Sequence, residues 1–205
     1  VLFEPFVNFR LRPTARLTTN LGMHFTYFSI NKKSKSLEPR VNLSYQLSDN
    51  QRVSIAYGLH SKYLPLGTYA YIQNVFDENT HLPIANFRPN RDLGLMKAHH
   101  AVVAYDLRLG AGFKVHPEVY FQRIFDVPVA EAEGDTWSML NTTSGFPDRI
   151  LHGDGKGTNY GLDLSVEKAF DRSFFLILSG SVFKSRYTDQ AGHGHPTLFD
   201  SGFSA

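Results

Sequence analysis

Leu37-Glu38-Pro39-Arg40-Val41-Asn42-Leu43-Ser44-Tyr45-Gln46-Leu47 carries an apolar residue at every odd position and a polar one at every even position. Side chains of a β-strand alternate between faces with period 2, so this segment has one greasy face and one wet face along its whole length. The same period runs through Leu17 to Phe28, Val53 to His60, Val115 to Gln122 and Tyr160 to Glu167. Phe3 to Leu11, Ala101 to Leu107 and Phe174 to Val182 follow it less cleanly, which brings the expected total to eight strands.

The connections alternate in length. Short turns are expected near Pro13-Thr14-Ala15, Ser48-Asp49-Asn50-Gln51, Leu109-Gly110-Ala111-Gly112 and Phe170-Asp171-Arg172, where most residues favour tight reversals. Between them lie a polar connection around Asn31 to Lys35, then roughly Tyr63 to Met96, roughly Phe125 to Thr158, and the residues after Tyr187. Structureless loops of that length count against a compact domain, whereas outer-membrane barrels combine short periplasmic turns with long extracellular loops. The expected fold class is therefore all-β, an antiparallel transmembrane β-barrel segment.

Composition narrows the alternatives only slightly. A chain of 205 residues with 42% hydrophobic residues is long enough for one domain, and 21 basic against 19 acidic residues form no stripe that would hold nucleic acid. The absence of cysteine excludes disulfides and thiolate metal sites and suits bacterial cytoplasm, periplasm and outer membrane alike. No run reaches the roughly 18 apolar residues of a membrane helix, but a spanning strand needs only about 9 to 11 alternating ones. Val1-Leu2-Phe3-Glu4 carries no export signal, so the chain reads as mature or incomplete. If short turns are periplasmic, both chain ends fall outside the cell, and Phe203-Ser204-Ala205 read as a loop ahead of the next strand. On that count residues 1–205 are expected to be part of a larger barrel, because an unpaired strand edge is not tolerated in lipid. Pro39 and Pro117, which cannot donate to a ladder, are expected at bulges or strand ends.

Several blocks carry a resemblance. Ser36 to Arg40 (SLEPR), Tyr57 to Ser61 (YGLHS), Glu118 to Val129 (EVYFQRIFDVPV), Gly155 to Lys168 (GKGTNYGLDLSVEK) and Ser179 to Tyr187 (SGSVFKSRY) together resemble the barrel of TonB-dependent outer-membrane receptors of the Bacteroidetes type. The resemblance implies a barrel of about 22 strands plugged by an N-terminal domain. It also implies energy-coupled import of a scarce ligand, whether siderophore, glycan, peptide or cobalamin. Outer-membrane lipid, the imported ligand, the TonB complex and a surface lipoprotein are the implied partners. The plug, the TonB-contacting segment and the closing strand are missing from residues 1–205, and TonB would be engaged through the missing N-terminal part.

Chemistry is sparse. Tyr27, Tyr45, Tyr57, Tyr105 and Tyr160 share the apolar faces and read as interfacial girdle residues, or as the core of a soluble sandwich. His99 and His100 are adjacent on a strand and point to opposite faces, and no carboxylate is assignable to His193 or His195, so no metal site is expected. Glu131, Glu133 and Asp135 read as solvated loop charges and not as a calcium site. Gly153 to Thr158 lacks phosphate-loop spacing and reads as a flexible loop entering a strand. No nucleophile, base and orienting group can be assembled, so neither enzyme activity nor a cofactor is expected.

Ligand capture remains, and loops on a rigid scaffold are where it concentrates. Tyr63, Tyr69, Tyr71 and Phe76 in one long connection and Trp137 and Phe146 in another offer stacking surfaces, with His60 and Glu118 on polar faces. Two other architectures share the period: a soluble secreted β-sandwich binding module, and a complete eight-stranded outer-membrane barrel.

Overall fold

A computed structural model describes residues 1–78, 81–143, 146–171 and 174–204. Asn79, Thr80, Ser144 and Gly145 of two long connections, Arg172 and Ser173 of the fourth turn and Ala205 at the end lie outside the described residues.

In chain order the elements are β1 (Leu2–Phe3), β2 (Phe6–Leu11), β3 (Leu17–Phe28), β4 (Lys35–Ser48) and β5 (Gln51–Lys62). The helix α1 (Leu66–Ala70) and the hairpin β6 (Gln73–Phe76) and β7 (Pro83–Phe87) follow. Then come β8 (Met96–Arg108), β9 (Phe113–Ala130), β10 (Leu151–Asp171), β11 (Phe174–Thr188), β12 (Gly194–Pro196) and β13 (Phe203–Ser204). All but β6 and β7 join one antiparallel sheet, with β3, β4, β5, β8, β9, β10 and β11 side by side. β1 and β2 lie along its first edge and β12 and β13 along its last.

The eight expected strands are β2, β3, β4, β5, β8, β9, β10 and β11. One rung runs through Leu11, Thr19, Leu43, Ile55, Val103, Val119, Leu162, Val182 and Phe203 in strict register. The adjacent rung reads Thr18, Ser44, Ser54, Ala104, Glu118, Asp163, Ser181 and Ser204. One face is therefore apolar across the entire sheet and the other polar. Among the described residues nothing covers the apolar one: Ile55, Val119 and Leu162 are 51%, 54% and 49% exposed. This overturns the sandwich alternative, in which a second sheet would pack there. The outward apolar stripe of β4 from Leu37 to Leu47 spans about 33 Å along the strand, which at a tilt of about 40° fills a belt about 25 Å tall.

The sheet is open. Among the described residues the β1/β2 edge and the β12/β13 edge do not pair with each other, so these strands do not close into an eight-stranded barrel. Phe203 and Ser204, expected as loop, already pair with Val182 and Ser181 at mid-sheet height.

Other expectations shift in instructive ways. Pro39 and Pro117 sit inside continuing strands. Each keeps its register with one neighbour, Met23 and Leu164 respectively, while pairing lapses on the other side. The missing N–H points at that lapse. The connection expected from Phe125 to Thr158 is shorter, because Leu151 to Gly157 pair with Ala130 to Ile124 and the glycine-rich Gly153 to Thr158 is strand. At the third short turn, between β8 and β9, Ala111 and Gly112 take φ of 59° and 77°, left-handed values that allow a tight reversal.

The buried core lies above the sheet, among the long connections. Leu64, Tyr69, Leu93 and Leu151 form it, with Phe28, Ile30, Met96, Trp137 and Met139 packed around. Two asparagines pin the connections together. Asn31 donates to the carbonyls of Arg91 (2.7 Å) and Leu93 (2.8 Å). The fully buried Asn90 donates to the Arg149 carbonyl and accepts from the Leu151 N–H, both at 2.9 Å. Tyr187 at the end of β11 reaches the Thr136 carbonyl at 2.9 Å. The result is a folded cap at the loop end of the sheet.

Two outcomes follow. Leu43→Arg, at mid-belt on the apolar face, lowers unfolding free energy in lipid vesicles by about 2–4 kcal/mol, while Ser44→Arg on the polar face leaves it nearly unchanged; equilibrium denaturation of the two variants measures the difference. Asn90→Ala strands a buried N–H and a buried carbonyl at a cost of about 1–3 kcal/mol, seen as faster proteolysis within residues 63–95 with the strands still protected.

Candidate functional site

The polar face contains a built cluster near the loop end. Glu38 of β4 is 1% exposed, and a carboxylate so enclosed is tolerated only when its oxygens are bonded. Thr26 Oγ1 donates to it at 3.1 Å, Arg40 Nη2 donates at 2.9 Å, His24 Nδ1 lies at 3.0 Å, and the Ser61 hydroxyl donates as well. Three successive strands, β3, β4 and β5, converge here, with His24 placed directly opposite Glu38 by the register. Arg40 is thereby anchored along one edge of its guanidinium, leaving other N–H donors facing open space.

That space is a cavity of about 520 Å³ lined by Asn8, Arg10, Arg40, Asn42, His60 and His100 among others, and no carboxylate lines it among the described residues. The His60 and His100 rings lie 6.2 Å apart, edge to face. Among the described residues neither imidazole makes a hydrogen bond, so their ring nitrogens are available. His60 folds over Gly58, where a Cβ would come within 2.7 Å of its Nε2; glycine is what lets the imidazole lie there.

His100 also borders a second cavity, of about 420 Å³, with Glu118, Tyr120, Gln122, Asn159 and Asp163. Asn159 donates to Gln122 and accepts from Ser185, both at 2.8 Å, which ties β9, β10 and β11 together across the face. Tyr120 lies over Gly161, where a Cβ would sit 2.8 Å from the phenol oxygen. Glu118 stands directly opposite Asp163, a like-charge pairing that costs stability unless cations answer it. Ser181 donates to Asp163 at 2.5 Å, and His116 Nε2 lies 3.5 Å from Glu118. Closer to the short turns, Arg52 and His116 both meet Asp106, at 2.8 and 2.9 Å. The first cavity is lined by bases without a carboxylate among the described residues, whereas Glu118 and Asp163 line the second.

Of the residues offered as ligand contacts, His60, Tyr63, Tyr69, Tyr71, Glu118 and Trp137 do not come together. His60 and Glu118 are on the polar face but border different cavities. Tyr69 is 2% exposed and is a core residue of the cap, where burial pushes its phenol pKa up. Trp137 packs on that core beneath Arg149, whose guanidinium carbon lies 5.5 Å from its ring. Tyr63 is half-exposed with its ring 5.7 Å from Phe28, and the Tyr71 hydroxyl donates to Gln73 at 2.7 Å. Arg40, His100 and Glu38 were missed. They occupy even positions in strands already recognised, but their convergence depends on cross-strand register.

The histidines and loop acids also find partners. Asp189 is the carboxylate the sequence could not assign: its Oδ2 lies 2.8 Å from His195 Nε2 and 3.5 Å from His193 Nδ1. The His195 bond holds its carboxyl below the usual range. Asp135 pairs with Arg149 at 2.7 Å and Glu131 with His152 at 3.2 Å. His99 faces outward and His100 inward, as the strand period requires. Among the described residues no group of three or more histidines and carboxylates is arranged to hold a metal ion.

No protein-family model and no curated protein matches the chain. Solved structures do. A RagAB peptide importer in its closed-closed state matches at 14% identity with a TM-score of 0.67, over 91% of this chain and 22% of that one. The siderophore receptor PirA from Acinetobacter baumannii matches at 13% identity and a TM-score of 0.68, over 98% and 30%. The ferric enterobactin receptor PfeA from Pseudomonas aeruginosa matches at 12% identity and 0.61, over 93% and 30%. The chain thus spans between about a fifth and a third of the length of these TonB-dependent receptors. An open antiparallel sheet with an uncovered apolar face, a polar face of built clusters and a cap of long connections has the fold of the outer-membrane β-barrel in TonB-dependent receptors.

Proposed function

We propose that this sheet is part of the barrel wall of a TonB-dependent outer-membrane receptor that imports a scarce ligand by energy-coupled transport. The observation that carries the reading is an apolar face exposed over every spanning strand of a sheet whose two edges are unpaired. Such a sheet is stable only where hydrocarbon covers the face and further strands complete the ring. In this reading the capped loop end faces outward from a bacterial outer membrane. Further strands and a plug belong to the same receptor, and the TonB complex acts through a segment outside this sheet. A surface lipoprotein seated on the cap is a fitting partner, as in a peptide importer of the RagAB kind.

The cavity around Arg40, His60 and His100 supports a ligand carrying an anionic group. Arg40 keeps donors beyond those bonded to Glu38, and with imidazoles beside them and no carboxylate lining the cavity among the described residues they favour carboxylate or phosphate over a neutral glycan. Tyr63 and Tyr71 at the margin of the cap, and Glu118 deeper in, are further candidate contacts; Tyr69 and Trp137 act by holding the cap together.

In cells where this receptor is the sole route for its ligand, removing TonB abolishes uptake. Arg40→Gln raises the half-saturating concentration about tenfold with maximal uptake unchanged, the loss of one charge-assisted hydrogen bond. Uptake that survives the loss of TonB contradicts energy coupling, and an unchanged half-saturation in Arg40→Gln contradicts the cationic subsite.

A further inference from the structure

The outward face is not apolar everywhere. One rung at the loop-end margin of the apolar belt reads Leu59, His99, Arg123, Thr158 and Arg186 across β5 to β11. The rung below it, toward the short turns, holds Ala101, Phe121, Tyr160 and Lys184, and the one below that is wholly aliphatic: Val103, Val119, Leu162 and Val182. Above, Lys97 stands opposite Phe125. A basic patch of Lys97, Arg123, Lys184 and Arg186 therefore caps the apolar belt on β8 to β11 alone. On the other half of the sheet the neighbouring outward pair beyond Leu59 is Met23 and Pro39, which carry no charge.

We propose that this patch binds the phosphate groups of a lipid in the outer leaflet. The inference rests on the membrane reading above and adds a specific lipid site to it. The Arg123 and Arg186 side chains are exposed and, among the described residues, neither side chain forms a hydrogen bond or an ion pair. Their Cα atoms are two strand spacings apart, about 9.6 Å, so both forks can reach one phosphate-bearing head group. Lys97 is partly neutralised by Asp126 at 2.9 Å, and Lys184 lies 4.0 Å from Asp200. No outward position of β8 to β11 in these rungs carries a carboxylate.

At the edge of hydrocarbon an uncompensated guanidinium draws an anion strongly, and phosphate matches its paired donors. His99 completes the floor: its ring stacks between Tyr57, 6.1 Å away, and Phe125, 5.2 Å away, while its Nδ1 meets the Tyr57 hydroxyl at 2.8 Å. That aromatic shelf beside the arginines suits the junction between a head group and its acyl chains.

The test uses the full-length receptor that contains this sheet, reconstituted in phosphatidylcholine vesicles doped with diphosphoryl lipid A or with the same lipid dephosphorylated. Lipid retained through detergent extraction is counted by native mass spectrometry. Wild type keeps the phosphorylated lipid and not the dephosphorylated one, the R123Q/R186Q variant retains about tenfold less, and R123K/R186K retains an intermediate amount. Excess inorganic phosphate does not displace the lipid. Equal retention by wild type and R123Q/R186Q, or equal retention of the two lipids, overturns the site while leaving the membrane reading intact. A receptor that fails to insert into either vesicle overturns both.

Discussion

Every feature of this chain depends on one constraint: in hydrocarbon each backbone N–H and C=O must find a partner within the protein. A sheet meets that demand along its ladders, and the demand explains why pairing here is so continuous, from Leu11 on β2 to Phe203 on β13 in one unbroken rung. It also explains the placement of Pro39 and Pro117, each turned toward a side where pairing lapses. What the constraint forbids is an edge left bare in lipid, which is why the proposed membrane reading calls for further strands beside this open sheet.

With the outside given over to hydrocarbon, specificity moves to the other face and to the cap. The polar rungs bring Glu38, His24, Arg40 and Ser61 into contact across three strands and set a cavity lined by bases beside one bordered by Glu118 and Asp163. The cap, built on Leu64, Tyr69, Leu93 and Leu151 and pinned by Asn31 and Asn90, holds the long connections in one arrangement over that face. Most of the small buried core of this chain thus serves to order loops, and lipid replaces a core for the strands.

The strands were legible because period 2 is a local property: Val41, Leu43 and Tyr45 declare their face without reference to any neighbour. Parity also placed His60 and Glu118 on the polar face, and His99 opposite His100. Where contact depends on register or on loop packing, sequence alone was silent. Arg40 and His100 come to line one cavity only through pairing of strands tens of residues apart, Asp189 meets His195 only through a turn, and Tyr69 looked like an exposed stacking surface because nothing local distinguishes a tyrosine that closes a loop core from one that greets a ligand. Gly153 to Thr158 read as loop because glycine is common in loops, yet Gly155 and Gly157 serve close packing of β10 against Val129 and Leu140.

The central claim is that the apolar face meets acyl chains and the polar face meets water. Nitroxide labels at Ile55, Val119 and Leu162, and separately at Ser54, Tyr120 and Asp163, test it directly in the full-length protein reconstituted in vesicles. The account predicts that the first set collides with dissolved oxygen and is shielded from a polar nickel chelate, with the reverse for the second. Equal shielding of both sets from oxygen, the mark of a face covered by protein, would contradict it.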